Sequence, residues 1–480
     1  MSVARNTRQA ADKRRTSAPH PLTFGTWLIV AYGALLLAID LFIPLRVSEI
    51  LQILAAWHFT WDKFVGWIVQ TPGSAPLAYF VQLPLLLIWP HGCLAARFPT
   101  LIFSVGCCFL FLALTKKLSL KRPELALALF MFVPIQFRIA SEAAPFELAL
   151  FLSLTATLSF LDLLKRPGPR ESIVYGTLLS LALYTEPYSF LPAIGYLLFL
   201  LRFVNRAHER RVIWFALPAT AFSAALFFPY YAWAHPQASG SWLGAAASTA
   251  NVSQTIQLFG SLADAAKMNW FSWALFFVLV AGGIAGVWST FRAVYPLAKR
   301  INLFCLAGGI LSTISIVLVI GALSEHFHGI EVVWAVPALI ILFFAGAEWL
   351  FRRTALAIGS VVAGSLVLAI SIWFDVNYLF APKEDLPAEA AAALPQLKGD
   401  SCLVFVSQGV SRQLFLLFKP ELGQYECHDF FRRRIVMASH PYVRPDQQED
   451  AEAFFRGLGF HEKSRSNVGG GQIVVDEDSQ

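Results

Sequence analysis

The sequence is poor in charge. Only 14% of its 480 residues are Asp, Glu, Lys or Arg, and 57% are hydrophobic, whereas soluble domains carry about 25% charged residues. The first 375 residues contain too little charge for a water-facing surface, which excludes a large soluble domain there. Several apolar runs of roughly 20 residues are long enough to cross a bilayer as helices. The composition therefore predicts an all-α polytopic membrane protein.

Other common signals are missing as well. The apolar run behind the basic N-terminal tail is too long for the core of a signal peptide and has no small-residue cleavage site after it, so residues 26–45 are predicted to remain as the first span. The cysteines have no zinc-site spacing. Cys402 and Cys427 lie in the polar tail and are placed to form one disulfide if that tail is extracytoplasmic. The basic residues sit in short clusters between spans, so the net charge of +6 does not indicate a nucleic-acid partner.

Polar interruptions divide the apolar sequence into about eleven predicted transmembrane helices. One stretch, "PLAYFVQLPLLLIW" (76–89), is short for a span and is typical of a helix lying on the membrane surface. The predicted spans are 26–45, 97–115, 124–138, 143–163, 172–186, 188–203, 212–234, 270–290, 302–323, 331–350 and 355–374.

The distribution of Lys and Arg supports this topology. With 76–89 on the surface, the N-terminal tail (1–24) and alternate connections place 21 basic residues on one side of the membrane and five on the other, up to residue 375. Because cytoplasmic loops are enriched in basic residues, the N-terminus is predicted to be cytoplasmic. A long first loop (46–96) is then on the outer side of the transmembrane domain, which spans 25–375.

The sequence becomes more polar after residue 375. The segment 376–480 is predicted to form a small α/β extracytoplasmic domain. Its pattern consists of a helical stretch "DLPAEAAAALPQL", a strand "CLVFVS", an amphipathic helix "DQQEDAEAFFRGLGF" and a second strand "GQIVVDE".

Acidic residues cluster at the predicted outer ends of the spans. Glu49, Glu142 and Glu186 belong to three separate connections, while Asp40 and Glu147 lie just inside spans. Each carboxylate alone is explained by solvation at the membrane surface or by a favourable position at a helix terminus. Together, acids from separate spans at one membrane level indicate a polar cavity that opens outwards. Such a cavity suits a reaction at the head of a lipid-borne substrate.

The "HFH" segment leaves several interpretations open. His326 and His328 would lie on one side of a strand or loop, close to Glu325 and Glu331, but no third ligand is fixed by the pattern. The segment is therefore a weak candidate for a metal site or for a loop that binds an anionic phosphate. A metal cofactor stays undetermined.

Several segments carry a resemblance to a known family, in order along the chain. They read "VSEI", "GSAPLAYFVQL", "LAARFPTLIFSV", "RIASEAAPFELALFLSL" and "LALYTEPYSFLPAIGYLL". This series resembles the multispanning GT-C glycosyltransferases, in particular the bacterial branch of protein O-mannosyltransferases and lipid A aminoarabinose transferases. The sequence departs from the motifs at Ser48, Ala144 and Glu186, where the family has an acid, an arginine and a histidine.

The resemblance implies transfer of a sugar from a polyprenyl-phosphate donor to a lipid, glycan or protein acceptor, on the outer side of a bacterial inner membrane. It implies Glu49 as the general base and Glu142 as a second catalytic-site residue. Arg97 and Arg138 are candidates to neutralise the lipid phosphate, and Glu186, His326 and His328 are candidate substrate-binding residues. A transporter or flippase of a lipid-linked substrate, or an inactive scaffold with the same fold, is the alternative.

Overall fold

A computed structural model of the chain describes the transmembrane region in several segments and part of the C-terminal region. Ser48, Ala144, His326, His328 and Cys427 lie outside the described residues, so the predictions made for them stay predictions. The described residues are 23–42, 49, 76–88, 93–143, 145–238, 265–291, 296–323, 333–350, 357–380, 391–397, 401–405, 420–425, 434–439, 452–453, 456, 460–468 and 471–478.

Helices dominate the described ranges up to residue 380. Short 3-10 turns, Pro187–Phe190 and Leu201–Phe203, flank the eighth helix. The helices are α1 (Phe24–Phe42), α2 (Pro76–Ile88), α3 (Cys93–Lys117), α4 (Pro123–Phe132), α5 (Pro134–Ala140), α6 (Phe146–Lys165), α7 (Pro169–Leu183), α8 (Leu191–Leu200), α9 (Ala207–Ala238), α10 (Ala265–Phe291), α11 (Leu297–Leu323), α12 (Val336–Leu350) and α13 (Ala357–Phe380).

The helices confirm the prediction of a polytopic helical membrane protein. Each of the eleven predicted spans contains at least one helix. Among the described residues, six helices are long and apolar enough to cross a membrane, or seven if α4 and α5 together form one bent span. A helix satisfies its own backbone hydrogen bonds, which lipid cannot do, and this is why apolar runs of this length fold as helices. The number of about eleven spans stays a prediction.

The predicted span 124–138 is broken rather than continuous. The helices α4 and α5 meet at an angle of 65° across Val133, which has the extended conformation φ −67°, ψ 128°. Proline at 134 has no N–H to donate, and its ring disfavours a helical conformation at the preceding residue. The bend is therefore a local consequence of Pro134.

Helices pack in two connected series. The first runs from α1 to α3, α6, α7 and α9, and the second pairs α8 with α11, α10 with α12 and α4 with α13.

Two of these helix crossings are so close that only glycine fits. A Cβ atom at Gly195 of α8 would lie 2.0 Å from the carbonyl oxygen of Gly308 in α11, and one at Gly286 of α10 would lie 2.1 Å from the carbonyl oxygen of Leu342 in α12. Small residues let helix backbones approach, which is the main way to gain packing energy in lipid.

Contacts between side chains and backbone bring basic connections together at one end of the bundle. Lys117 at the end of α3 pairs with Asp162 near the end of α6 at 2.6 Å. Lys299 near the start of α11 donates to the carbonyl of Ser119 at 3.0 Å. His208 at the start of α9 lies 2.8 Å from the carbonyl of Leu164. This end of the bundle, with the connections after α3, α6 and α8, is called the basic end below.

Helix α2 has the properties predicted for the surface helix at 76–89. Its 13 residues span only about 20 Å, less than the bilayer core. Its inner face packs against α3, α6 and α7 through Ala78, Leu148 and Ala182. Its first turn is tied to α7, because the N–H of Leu77 donates to the carbonyl of Tyr184 at 2.9 Å. The helix therefore lies across the end of the bundle opposite to the basic end.

The C-terminal region contains a four-stranded sheet. Its strands are β1 (Ser401–Phe405), β2 (Arg434–Ser439), β3 (Phe460–Val468) and β4 (Gly471–Asp478), in the order β1-β2-β4-β3. β1 and β2 are parallel, and the other two pairs are antiparallel. The predicted strands at "CLVFVS" and "GQIVVDE" are confirmed as β1 and β4.

Other expectations for this region are corrected. Phe460, the last residue of the predicted amphipathic helix, opens strand β3 instead, and most of that helix lies outside the described residues. Strand β2 was not predicted, because its apolar run is buried on both faces and has no alternation to distinguish it from a helix. Edge strand β3 was not predicted because residues 461–466 are polar and exposed.

The cysteines separate into two groups. Cys107, Cys108 and Cys305 are buried and free, as expected for small apolar side chains in a membrane bundle. Cys402 in β1 is disulfide-bonded. Its predicted partner, Cys427, lies outside the described residues.

The close crossing of α10 and α12 gives a test of the packing. Gly286→Ala should lower the melting temperature in detergent, because the added methyl group meets a backbone carbonyl and overpacking typically costs about 1–3 kcal/mol. Gly283→Ala, one turn earlier in α10, is the matched control, since its methyl group meets only a flexible side-chain atom of Leu339 at 3.0 Å. Equal melting temperatures for the two variants would contradict the assigned crossing.

Candidate functional site

A buried ion pair holds Glu49 to the transmembrane bundle. Arg97, on the first turns of α3, donates from Nε to Glu49 Oε1 and from a terminal nitrogen to Glu49 Oε2, both at 2.7 Å. The N–H of Ala143 also donates to Glu49 Oε1, at 2.6 Å. Both side chains are only 1% exposed. The carboxylate of Glu49 thus joins three segments: the loop before α2, the start of α3 and the turn before α6.

A second acid lies close to this pair. Asp40, in the last turn of α1, is buried, and its carboxyl group is close enough to Arg97 and Glu49 to interact with both electrostatically. Neither of its oxygens has a hydrogen-bond partner among the described residues. Asp40 was not predicted as a site residue; its only signal in the sequence is an acid inside an apolar span, which is costly in lipid unless it serves a purpose.

Glu142 and Arg138 form a neighbouring and more accessible ion pair. Arg138 Nε donates to Glu142 Oε1 at 3.2 Å across one helical turn, and the arginine side chain is 36% exposed. Glu142 precedes Ala143, the residue whose N–H binds Glu49. The structure therefore brings together four of the predicted site residues, Glu49, Arg97, Arg138 and Glu142, at one end of the bundle. We call these four residues and Asp40 the outer-end cluster, after the side of the membrane predicted for them from the placement of Lys and Arg.

A narrow groove runs beside the outer-end cluster. It lies beneath α2, has room for about one water molecule, and is lined by Ala78, Val81, Gln82, Pro99, Thr100, Phe103, Pro145 and Leu148. Pro99 and Thr100 follow Arg97 on α3, and Pro145 follows Glu142 by three residues. The side-chain oxygen of Gln82 is buried here and has no hydrogen-bond partner among the described residues. The groove is thus mostly apolar and lies next to paired charges.

Glu186 follows α7, two residues after Tyr184, whose carbonyl accepts a hydrogen bond from the first turn of α2. The side chain is buried. Its carboxylate accepts a hydrogen bond from the backbone N–H of Tyr188. Because a buried acid is costly in an apolar bundle, Glu186 remains a candidate site residue.

Aromatic side chains surround this region. The ring of Tyr184 lies 5.5 Å from that of Phe227 and 6.0 Å from that of Tyr230. The hydroxyl of Tyr184 donates to the carbonyl of Leu226 at 2.8 Å. These contacts fasten α9 to the end of α7. The aromatic group therefore lies two residues before Glu186 in the chain, at the end of α7.

Glu147 has a different environment from the other acids. It is fully buried in the first turn of α6, where Gln136 of α5 donates to Oε1 at 2.6 Å. Within the described part of the chain, its second oxygen has no hydrogen-bond partner. Gln136 was not predicted from the sequence, since an amide in an apolar helix does not reveal which acid it will meet.

Among the described residues, no three His, Cys, Asp or Glu side chains are placed to hold a metal ion. His326 and His328 lie outside these residues, so the weak metal or phosphate site predicted for them remains a prediction.

The apolar bundle with a polar site at one end defines an integral, polytopic membrane protein. Comparisons refine this class. No protein-family model matches the chain, and no curated protein matches its sequence. Among solved structures, the chain is similar to ArnT from Cupriavidus metallidurans bound to undecaprenyl phosphate, with a TM-score of 0.54 and 13% identity over 95% of this chain and 99% of that one. The apo structure of the same protein gives a TM-score of 0.52 and 13% identity over 95% and 98%.

The similarity extends over nearly the whole length of both chains. At 13% identity it concerns the fold alone. ArnT is a GT-C glycosyltransferase. The chain therefore has the GT-C fold, and the fold implied by the sequence resemblance is confirmed.

The buried pair predicts unequal effects of two matched substitutions. Glu49→Gln should destabilise the protein by about 3–5 kcal/mol, because it leaves the buried Arg97 without its bidentate partner. Glu142→Gln breaks a longer contact to an arginine that is 36% exposed, so its loss of stability should be clearly smaller than that of Glu49→Gln. Thermal unfolding of both variants in the same detergent checks this expectation. A Glu49→Gln variant as stable as the wild type would contradict the structural role of the pair.

Proposed function

We propose that the chain is a membrane glycosyltransferase that moves a sugar from a polyprenyl-phosphate carrier to an acceptor on the outer side of the membrane. The observation that carries the proposal is the outer-end cluster beside the groove under α2. Buried charges are expensive in lipid and mark functional sites. The GT-C fold shared with ArnT, which was solved with undecaprenyl phosphate, supports a polyprenyl-phosphate substrate for this site.

The reaction needs three tasks from the protein. A hydroxyl oxygen of the acceptor attacks the anomeric carbon of the sugar, and the bond from that carbon to the phosphate oxygen breaks. A base takes the hydroxyl proton, and the bonding electrons leave with the polyprenyl phosphate. Positive charge must stabilise that leaving phosphate, and the lipid must be held in line with the acceptor.

Glu142 is the candidate general base that the contacts favour. Glu49 accepts three hydrogen bonds, two of them from a guanidinium, and these must break before its carboxylate takes a proton. Glu142 makes a longer contact to a partly exposed arginine. In this proposal Glu49 is a positioning residue that holds Arg97 and the turn carrying Glu142. The role of Glu49 as base, implied by the family resemblance, is the alternative.

Arg138 is the candidate for binding the leaving phosphate. It is the more exposed of the two arginines in the cluster, and a guanidinium is well suited to phosphate geometry. Arg97 would act through Glu49. Glu186, just after the end of α7, would contact the sugar or acceptor.

The orientation proposed for the chain follows from charge and redox state. The basic end would face the cytoplasm by the positive-inside rule, which places the outer-end cluster outside. The disulfide at Cys402 agrees with an oxidising, extracytoplasmic location for the domain at 376–480. In a bacterium this corresponds to the inner membrane with about eleven spans and a periplasmic C-terminal domain.

The activity is tested directly with purified protein and a panel of undecaprenyl-phosphate sugars. Release of undecaprenyl phosphate in the presence of an envelope lipid and glycan extract is followed by mass spectrometry. The wild type should turn over at least one donor, and Glu142→Gln should lower its rate by about 10²–10⁴-fold, the range expected for loss of a general base. Glu171→Gln, an acid at the opposite end, is the matched control and should keep the wild-type rate.

Each other result identifies an alternative. A stable Glu49→Gln variant with a large loss of rate, together with an active Glu142→Gln variant, would make Glu49 the base. If the wild-type protein binds donors but does not turn them over, the proposed enzyme activity is contradicted and the inactive scaffold is favoured. Movement of the donor between leaflets of vesicles without release of undecaprenyl phosphate would favour the flippase.

A further inference from the structure

A cleft at the basic end is distinct from the site described above. It encloses about 890 Å³ between the end of α8, the end of α10 and the start of α11. Three arginines line it: Arg202, Arg206 and Arg300. The other lining residues are Phe203, Asn205, Thr290, Leu297, Ile301 and Phe304. None of the described residues that line it is acidic, so the lining carries three positive charges and no negative one.

The arginines are held in place by contacts that leave their charge available. The guanidinium of Arg206 lies over the ring of Phe203, 5.4 Å from its centroid. Arg300 donates from Nε to the carbonyl of Thr290 at 2.6 Å, and this bond does not use its two terminal nitrogens. Neither arginine forms an ion pair with a described residue. Two of the three guanidinium groups are thus positioned to receive an anion from outside the chain.

One wall of the cleft is apolar. The rings of Phe203 and Phe304 meet edge to face with their centroids 5.6 Å apart. Beside them, Leu297 is half-exposed and Ile301 is buried. On the adjacent turn of α8 and the 3-10 helix, the large apolar side chains Leu198 and Leu201 are exposed. A ligand that fits this cleft therefore combines a negatively charged head with a hydrocarbon chain.

A second cleft at the basic end has both basic and acidic lining residues. A purely basic lining is therefore not a general property of this end. It encloses about 1020 Å³ beside α6 and α7. Lys165, Arg166 and Arg170 line it, but so do Asp162 and Glu171. Asp162 is also paired with Lys117. Internal acids compensate most of the positive charge here, whereas nothing among the described lining residues does so in the arginine cleft.

We propose that the arginine cleft, formed by Arg202, Arg206 and Arg300 with Phe203 and Phe304, binds the phosphodiester headgroup of an anionic phospholipid. Guanidinium groups bind phosphate oxygens through paired, charge-assisted hydrogen bonds. Basic pockets between transmembrane helices on the cytoplasmic side are suited to anionic lipid headgroups. The acyl chains would run along the apolar wall towards the lipid. This site is independent of the proposed glycosyl transfer.

Native mass spectrometry of the purified protein tests the proposal. The protein is released from detergent after titration with phosphatidylglycerol or with phosphatidylcholine of the same acyl chains. The wild type should retain phosphatidylglycerol preferentially. Arg202→Gln/Arg206→Gln should weaken its apparent affinity by roughly tenfold to thirtyfold, as expected for two juxtaposed charges. Arg166→Gln/Arg170→Gln, which removes two charges from the compensated cleft, should retain wild-type binding.

Further measurements distinguish binding of a phospholipid from binding of phosphate alone. Inorganic phosphate at millimolar concentration should not displace the lipid, because it cannot use the apolar wall. Three results would each overturn the proposal. The wild type retains the two lipids equally, both double variants lose phosphatidylglycerol binding equally, or inorganic phosphate displaces the lipid. The comparison of lipids on the wild type does not depend on any variant. Melting temperatures without added lipid should be alike for the two double variants, which excludes unfolding as the cause of a loss.

Discussion

The buried pair of Glu49 and Arg97 is the constraint on which the outer end of the protein depends. Transfer of two charges out of water costs several kcal/mol for each, and only close, bidentate geometry with further hydrogen bonds offsets it. The pair satisfies this condition with two contacts of 2.7 Å and a third from the Ala143 N–H. Since each partner is costly without the other, the loop, the start of α3 and the turn before α6 must be held together.

The polar residues around the pair differ in what they can do, although all are acids or arginines near one membrane level. Glu49 and Arg97 bind each other through two hydrogen bonds, and their burial favours a positioning role. Glu142 and Arg138 meet at 3.2 Å, and the arginine of this pair is 36% exposed, which makes it the more accessible of the two arginines. Glu186 is buried after the end of α7. These acids thus occupy different environments at the same end of the bundle.

The two ends of the bundle have opposite properties for the same physical reason. Helices in lipid gain little from burial of apolar surface, so they associate through close backbone contacts such as those at Gly195 and Gly286. Polar groups are then excluded from most of the bundle and collect at its ends. At the outer end they pair with each other and surround a groove. At the basic end the arginine cleft keeps its positive charge uncompensated by the residues that line it.

The sequence by itself determined the class of the protein, the positions of its helices and the membrane level of its acids, because apolarity, length and the placement of charge are local properties. It also contained the cause of the bend between α4 and α5, since Pro134 acts on its own neighbour. The pairing of Glu49 with Arg97, 48 residues away, could not be predicted from the sequence. Several acids and arginines lie near the same ends of the predicted spans, and no local rule selects which of them pair. Strand β2 was missed because burial on both faces removes alternation. Only the tertiary structure decided which charges meet, and burial then decided which of them are locked together and which remain accessible.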